Sequence, residues 1–176
     1  ALSVFGATRV ELANSQLFEV RASFVKLSSI SLAFAASSTA VCLDYPEADY
    51  FRFQIGLKGR AITLASSERT EIDANKACIT SPARASRMIC EADHERLTLR
   101  LDHNSLRQKL TALLGGKPRE ALEFDCASNL NHPRIQSLWQ LIRFLAGQFD
   151  STSTELSPLV IRELEQAILV SFLCAN

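Results

Sequence analysis

Three histidines, five cysteines and a scatter of arginines are the residues of this 176-residue chain with chemistry to offer. His94, His103 and His132 stand apart from one another, and no His-x-His pair occurs. A metal-dependent enzyme built on a β-barrel needs several imidazoles and a carboxylate converging from adjacent strands. Isolated histidines therefore point to exposed or capping roles, and the sequence implies no metal. Cys42, Cys78, Cys90, Cys126 and Cys174 are odd in number and form no Cys-x-x-Cys pair. That argues against a disulfide framework and against a zinc knuckle. Most lie beside apolar residues, as in "AVCLDY" and "SFLCAN", the pattern of buried free thiols in a reducing, cytoplasmic setting. Cys90 and His94 match a nucleophile–base pair in type only, because they fall in an expected turn with no oxyanion element beside it. G-x-S-x-G, G-x-G-x-x-G and phosphate-loop patterns are absent, so the sequence names no catalytic residue and no cofactor.

The arginines carry more interest. Arg52, Arg84, Arg87, Arg96 and Arg100 fall on or beside expected strands. A solvated guanidinium is the default on a strand face. The functional alternative is an arginine turned inward. Burial makes that costly unless something pairs with the charge, and an anionic ligand is one such partner.

The elements that would position these residues change character along the chain. The first hundred residues predict short, evenly spaced strands: 17–27, 29–37, 39–45, a hairpin within "DYFRFQIGLKGRAITL" (49–64), then 69–73, 77–81, 85–90 and 96–102. Turn residues separate them, among them Pro46, Gly59, Ser66-Ser67, Asp73 to Asn75, Pro82 and Glu91 to His94. Such a series predicts an all-β sandwich or barrel. In "RLTLRLD", Leu97, Leu99 and Leu101 share one face, and Arg96, Thr98 and Arg100 share the other. The polar face is solvent-exposed in a flat sheet and is the lumen in a barrel wide enough for a ligand; alternation alone does not choose.

After Asp102 the period becomes helical. Leu106, Leu110, Leu113 and Leu114 make one stripe, with Asp102 or Asn104 available as a cap and Gly115-Gly116 as a stop. A polar loop is expected over 117–131. A second helix follows from Pro133 with Ile135, Leu138, Trp139, Ile142, Leu145, Ala146 and Phe149 on one side. Residues 150–157 read as a turn or linker, and Ser157-Pro158 opens a third helix to about Ala175. Its end, "AILVSFLCA", is apolar nearly all round, which demands cover from the barrel and a neighbouring helix, from another chain, or from a further domain.

The bulk properties set limits. The length suits one structural domain, a barrel region over 1–102 and a helical region over 103–176. Formal net charge is zero, which disfavours DNA binding by this stretch itself. The uncharged run Leu27–Leu43 is 17 residues with five serines and a threonine, too short and too polar for a membrane span. The chain opens with Ala1 and no signal peptide, as a piece of a longer protein would.

Taken in order, "DYFRFQIGLKGRAITL", "ACITSPARASRMICEADHERLTLRLDHNSLRQKLTALLGG" and "EFDCASNLNHPRIQSLWQLIRFL" resemble the N-terminal, ligand-sensing domain of AraC/XylS-type transcriptional regulators, over about residues 15 to 175. The resemblance implies a mainly β fold: a cupin-like β-barrel (a double-stranded β-helix) followed by about three α-helices. It implies a small organic effector in the barrel and a homodimer formed through the C-terminal helices, with Leu164, Ile168 and Phe172 as candidate dimer contacts. DNA would be bound only by helix-turn-helix units beyond Asn176, and no membrane would be involved. Effector contacts carry over to Ser86 and Met88 on one strand and Arg96 and Thr98 on another, with Arg52 as a further candidate. Where the family commonly has a Pro-Gly-Asp-like turn, this chain has Asp73-Ala74-Asn75-Lys76, and asparagine tolerates the left-handed backbone such a turn needs. The sugar-type aromatic and histidine set is missing. The arginine content suits an anionic or aromatic effector instead. Two other readings stand beside this one: a metal-independent cupin-type isomerase or lyase, and an interaction module whose barrel is filled by its own side chains.

Overall fold

The computed structural model describes residues 6–13, 19–118, 120–150 and 156–176. Eleven strands and three helices follow in the order β1 (Arg9–Leu12), β2 (Val20–Lys26), β3 (Ile30–Ser37), β4 (Val41–Tyr45), β5 (Tyr50–Lys58), β6 (Ala61–Ala65), β7 (Glu68–Ile72), β8 (Lys76–Thr80), β9 (Ser86–Cys90), β10 (His94–Asp102), α1 (His103–Leu114), β11 (Ala127–Asn129), α2 (Pro133–Asp150) and α3 (Pro158–Ala175). The strands form two antiparallel sheets. One has the order β1-β4-β9-β6-β7 and the other β11-β8-β5-β10-β3-β2. The fold is the expected mainly β one with C-terminal helices, built as two facing sheets rather than as one closed ring of paired strands.

Local signals account for the boundaries. Gly59 takes a left-handed φ of 71° at the β5–β6 turn, where an added Cβ would lie 3.2 Å from the Asp93 backbone. Asp102 caps α1, its carboxylate accepting from the Ser105 N–H at 2.7 Å, and Gly115 ends the helix at φ 69°. Ser157 caps α3 and Pro158 occupies its first turn. Two short strands escaped the sequence reading. β1 is four residues long, and β11 (Ala-Ser-Asn) falls in the segment expected to be a polar loop. The start of the strand expected from Leu17, and residues 151–155 of the expected linker, lie outside the described residues.

The six-stranded sheet has two unlike faces. Phe51, Phe53 and Ile55 of β5 and Leu97, Leu99 and Leu101 of β10 alternate onto one of them, and all are buried. The helices cover that face. Leu106 of α1, Ile135, Leu138, Ile142 and Leu145 of α2, and Ile168, Leu169 and Phe172 of α3 join it in one apolar cluster. Phe172 meets Phe53 and Phe124 edge-on, at centroid distances of 5.9 and 5.0 Å. Only Leu106 of the four leucines expected to form the α1 stripe is fully buried; Leu113 and Leu114 are exposed. The α3 tail is covered on one side within this chain. Val170 and Leu173 are half-buried and Cys174 is exposed, so the all-round burial expected from its composition is not seen. No described helix is long and apolar enough to cross a membrane.

Candidate functional site

Once helices claim the apolar face of the six-stranded sheet, its polar face must turn toward the other sheet. The residues on it follow from strand alternation: Arg52 and Gln54 on β5, Arg96, Thr98 and Arg100 on β10, Cys78 and Thr80 on β8, and Ser31, Ala33 and Ala35 on β3. Register sets them side by side. Thr80 pairs with Arg52, Arg52 with Arg100, and Arg100 with Ser31, a single row across four strands. The facing sheet contributes Val41, Leu43 and Tyr45 from β4, Ser86, Met88 and Cys90 from β9, and Thr63 from β6, all buried. One wall of the interior is thus cationic and polar, and the other largely apolar.

All five residues carried over as effector contacts sit in this interior. Arg52 is 2% exposed and Arg96 4%, and Ser86, Met88 and Thr98 are also buried. Solvation, the default for a strand arginine, is overturned at Arg52 and Arg96. It holds for Arg84 and for Arg87, which bonds Asp44 through both carboxylate oxygens at the surface. The interior contacts join the two sheets. Arg52 Nη1 donates to Ser86 Oγ at 3.0 Å, and its guanidinium stacks 4.1 Å from the Tyr45 ring centroid. Gln54 donates to the Met88 sulfur at 3.3 Å and accepts from the Thr63 hydroxyl. Arg96 reaches the Tyr45 hydroxyl at 3.5 Å and the Cys90 sulfur at 3.7 Å. Arg100 lies against the rings of Tyr50 and Phe24, at 5.0 and 5.6 Å.

Tyr45, Gln54, Tyr50 and Thr80 belong to this site and were not singled out from the sequence. None of their types is diagnostic alone. The usable signal was parity: Arg52 and Gln54 alternate with Phe51 and Phe53, so whichever face the phenylalanines take, these two share the other.

The charges are not balanced. None of the ion pairs among the described residues involves Arg52, Arg96 or Arg100. Arg52 Nε, Arg100 Nε and Thr80 Oγ1 are buried without a hydrogen-bond partner. Burial pulls the Arg100 guanidinium below its ordinary range; Tyr50 opposes this, and Arg52 across the strand pair adds to it.

Histidines and cysteines behave otherwise. His94 was expected to be exposed or capping and is instead fully buried at the start of β10. Pairing with Ser37 and Ala36 of β3 carries the strand two residues beyond its expected beginning. Burial, with the Arg96 charge adding to it, pushes the imidazole down to about 4. Burial likewise raises the Cys78 and Cys90 thiols, so neither is a ready nucleophile. Among the described residues no three His, Cys, Asp or Glu side chains converge as a metal site would require.

The candidate dimer contacts fare unevenly. Ile168 and Phe172 are 0% exposed inside this chain's own core and so are out of reach of a partner. Leu164 is half-buried. The apolar side chains that α2 and α3 do expose are Phe144, Phe149, Leu159 and Val160. Beside α2, a cleft of about 600 Å³ opens against the outer side of β2 and β3, lined by Phe34, Leu97, Trp139, Arg143 and Phe149 among others.

The AraC-binding-like domain profile matches residues 2–174. Among solved structures, the AraC-like transcriptional activator CuxR superposes with a TM-score of 0.71 at 14% identity, over 94% of this chain and 60% of that one. This chain therefore spans less than two thirds of that activator's length. A cupin superfamily protein from Desulfitobacterium hafniense aligns at 10% identity over 50% of this chain and 82% of its own, with a TM-score of 0.41. KdgF from Halomonas sp. aligns at 7% identity over 49% and 86%, with a TM-score of 0.43. No curated protein matches the chain.

Proposed function

The chain belongs to the AraC-binding-like domain family, and from that premise we propose that it is the effector-sensing and dimerisation domain of a bacterial AraC/XylS-type transcriptional regulator. It binds a small organic molecule between its two sheets and has no catalytic role. The observation that carries this reading is the inner face of the six-stranded sheet. Buried arginine, glutamine and threonine side chains face an apolar wall there, at a cost that packing alone would not select. Ligand pockets have this composition: mostly apolar walls with a few placed polar groups. Similarity to an AraC-like activator over most of this chain supports the regulatory assignment over an enzymatic one.

Dimerisation falls to the helical layer. Phe144 and Phe149 of α2 and Leu159 and Val160 of α3 are exposed, and a second copy covering them would remove them from water. DNA contact falls to another part of the regulator, a reading that this domain's net charge of zero supports. An effector changes the arrangement of the attached DNA-binding units only through unequal affinity for two arrangements.

Two measurements on this domain test the reading. Sedimentation velocity should show a concentration-dependent dimer. A thermal-shift screen of small organic molecules should find saturable stabilisation that weakens in Met88→Leu or Thr98→Val. A chain that stays monomeric at high concentration removes the dimer half. A screen that raises the midpoint for nothing identifies the interior as filled by its own side chains, the mark of an interaction module.

A further inference from the structure

The row of cross-strand neighbours Thr80, Arg52 and Arg100 carries the reading one step further, to the class of effector. Each presents a buried polar atom with no partner: Thr80 Oγ1, Arg52 Nε and Arg100 Nε. The three residues lie on adjacent strands β8, β5 and β10 and point to the same side. Like charges directly opposite on an antiparallel pair repel, and here Arg52 is buried and Arg100 half-buried, with no carboxylate paired to either among the described residues. A row of donors without acceptors is unsatisfied in the free protein and is satisfied by an anion with two or more acceptor oxygens.

The surroundings narrow the anion further. Tyr45, Tyr50 and Phe24 flank the guanidinium groups with ring faces. Leu43 and Met88 on the opposite sheet are buried and apolar. Ala33 and Ala35 leave the β3 side of the interior shallow beside Arg96 and Thr98. Arg52 is held by Ser86. Arg100 has no hydrogen bond among the described residues, so it can turn without breaking one.

We propose that this row is an anion-binding subsite and that the effector is a small organic acid, its carboxylate held by Arg52, Arg100 and Thr80 and its apolar body laid toward Leu43 and Met88. The assignment rests on the reading of the interior as an effector site. The carboxylate accepts from the two guanidinium groups and the threonine hydroxyl, and its charge removes the repulsion between the arginines. A neutral molecule of the same shape leaves both the donors and the repulsion in place, so the site selects acids over their amides.

The test is a thermal-shift titration at constant ionic strength with acetate, benzoate, phenylacetate and hexanoate, each beside its carboxamide. The variants are Arg100→Gln and Thr80→Val, with the surface substitution Arg87→Gln as control. At least one acid should raise the midpoint saturably while its amide does not. Arg100→Gln should abolish the response. Thr80→Val, which keeps the side-chain shape, should weaken it about tenfold, the value of about one charge-assisted hydrogen bond. Arg87→Gln should leave it intact. An amide that matches its acid overturns the anion class and leaves the sensing role standing. An acid response that survives Arg100→Gln overturns the subsite. No response to any acid, together with a response to other neutral molecules in the wider screen, overturns the acid assignment alone; silence in both overturns the sensing role as well.

Discussion

Arg52 and Arg100 stand directly opposite each other on the paired strands β5 and β10, and no ion pair among the described residues involves either. Strand register holds two like charges side by side there, with Arg52 buried and Arg100 half-buried. That arrangement is the one the proposed anion subsite would use.

The first prediction concerns the ligand-free domain. Arg100→Met keeps a long side chain against Tyr50 and Phe24 while removing the repulsion. Its stability should equal that of the natural chain or exceed it by up to ~1 kcal/mol, a midpoint rise of about 2–4 °C at most for a chain of this size. Urea unfolding measures it. A loss above ~1 kcal/mol would make Arg100 a structural residue.

A second prediction follows from Glu165. This α3 carboxylate is 2% exposed and accepts from the Ser28 hydroxyl at 2.7 Å and from the Ser29 and Ile30 N–H groups at 2.8 and 3.3 Å. It ties α3 to the turn that opens β3, the strand paired with β10. Glu165→Leu would orphan two backbone donors and should cost ~2–4 kcal/mol. Glu165→Gln keeps one acceptor oxygen and should cost less. Because this contact links the interior to the C-terminal helix, Glu165→Gln should also alter the dimerisation constant, which sedimentation reads.

His94 gives a pH dependence with a definite sign. Its folded pKa is about 4, below the ordinary imidazole value of ~6.5. Between these values the unfolded chain binds the proton and the folded chain does not. The stabilisation is therefore fully present above about pH 6.5 and is lost as pH falls toward 4, by up to ~3 kcal/mol. Urea midpoints across that range should decline in the natural chain, and His94→Leu should flatten the decline. A natural chain equally stable at pH 4.5 and 7 would mean that the imidazole is protonated in place.

The helical layer separates fold from assembly. Phe172→Ala empties the centre of the aromatic cluster with Phe51, Phe53 and Phe124 and should cost ~3–5 kcal/mol. Phe144→Ala, at an exposed position, should change stability by no more than ~0.5 kcal/mol and should weaken self-association. The reverse ranking on either readout would misplace the dimer face.

Much of this was legible in the sequence for physical reasons, and the rest was not for equally physical ones. Period-2 alternation in "RLTLRLD" separates a leucine face from an arginine face, and the structure keeps that separation. Which face lies inside depends on where the helices dock, a long-range fact that no local period contains. Local alternation therefore left Arg52 and Arg96 between solvent, the default for a strand arginine, and an inward place, and only the resemblance put them inside; the apolar stripe of α2 takes the leucine and phenylalanine face for itself. The end of α3 was read as apolar all round, with its cover left open between the barrel, another chain and a further domain, and Ile168 and Phe172 were carried over as dimer contacts. Ile168 and Phe172 meet their own sheet rather than a second chain. β11 went unseen because Ala-Ser-Asn has no strand propensity, and pairing with β8 alone holds it extended. Tyr45 and Thr80 went unseen because their role comes from register with Ser86 and Arg52, which is a property of the sheet.

The most direct measurement is an ¹⁵N side-chain NMR titration of the arginine Nε–H signals with benzoate and, separately, benzamide, the signals assigned by single Arg→Gln variants. The prediction is saturable shifts for Arg52 and Arg100 with the acid and none with the amide, while Arg84 and Arg87 stay unmoved. Shifts confined to Arg84 and Arg87, or equal responses to acid and amide, would contradict it.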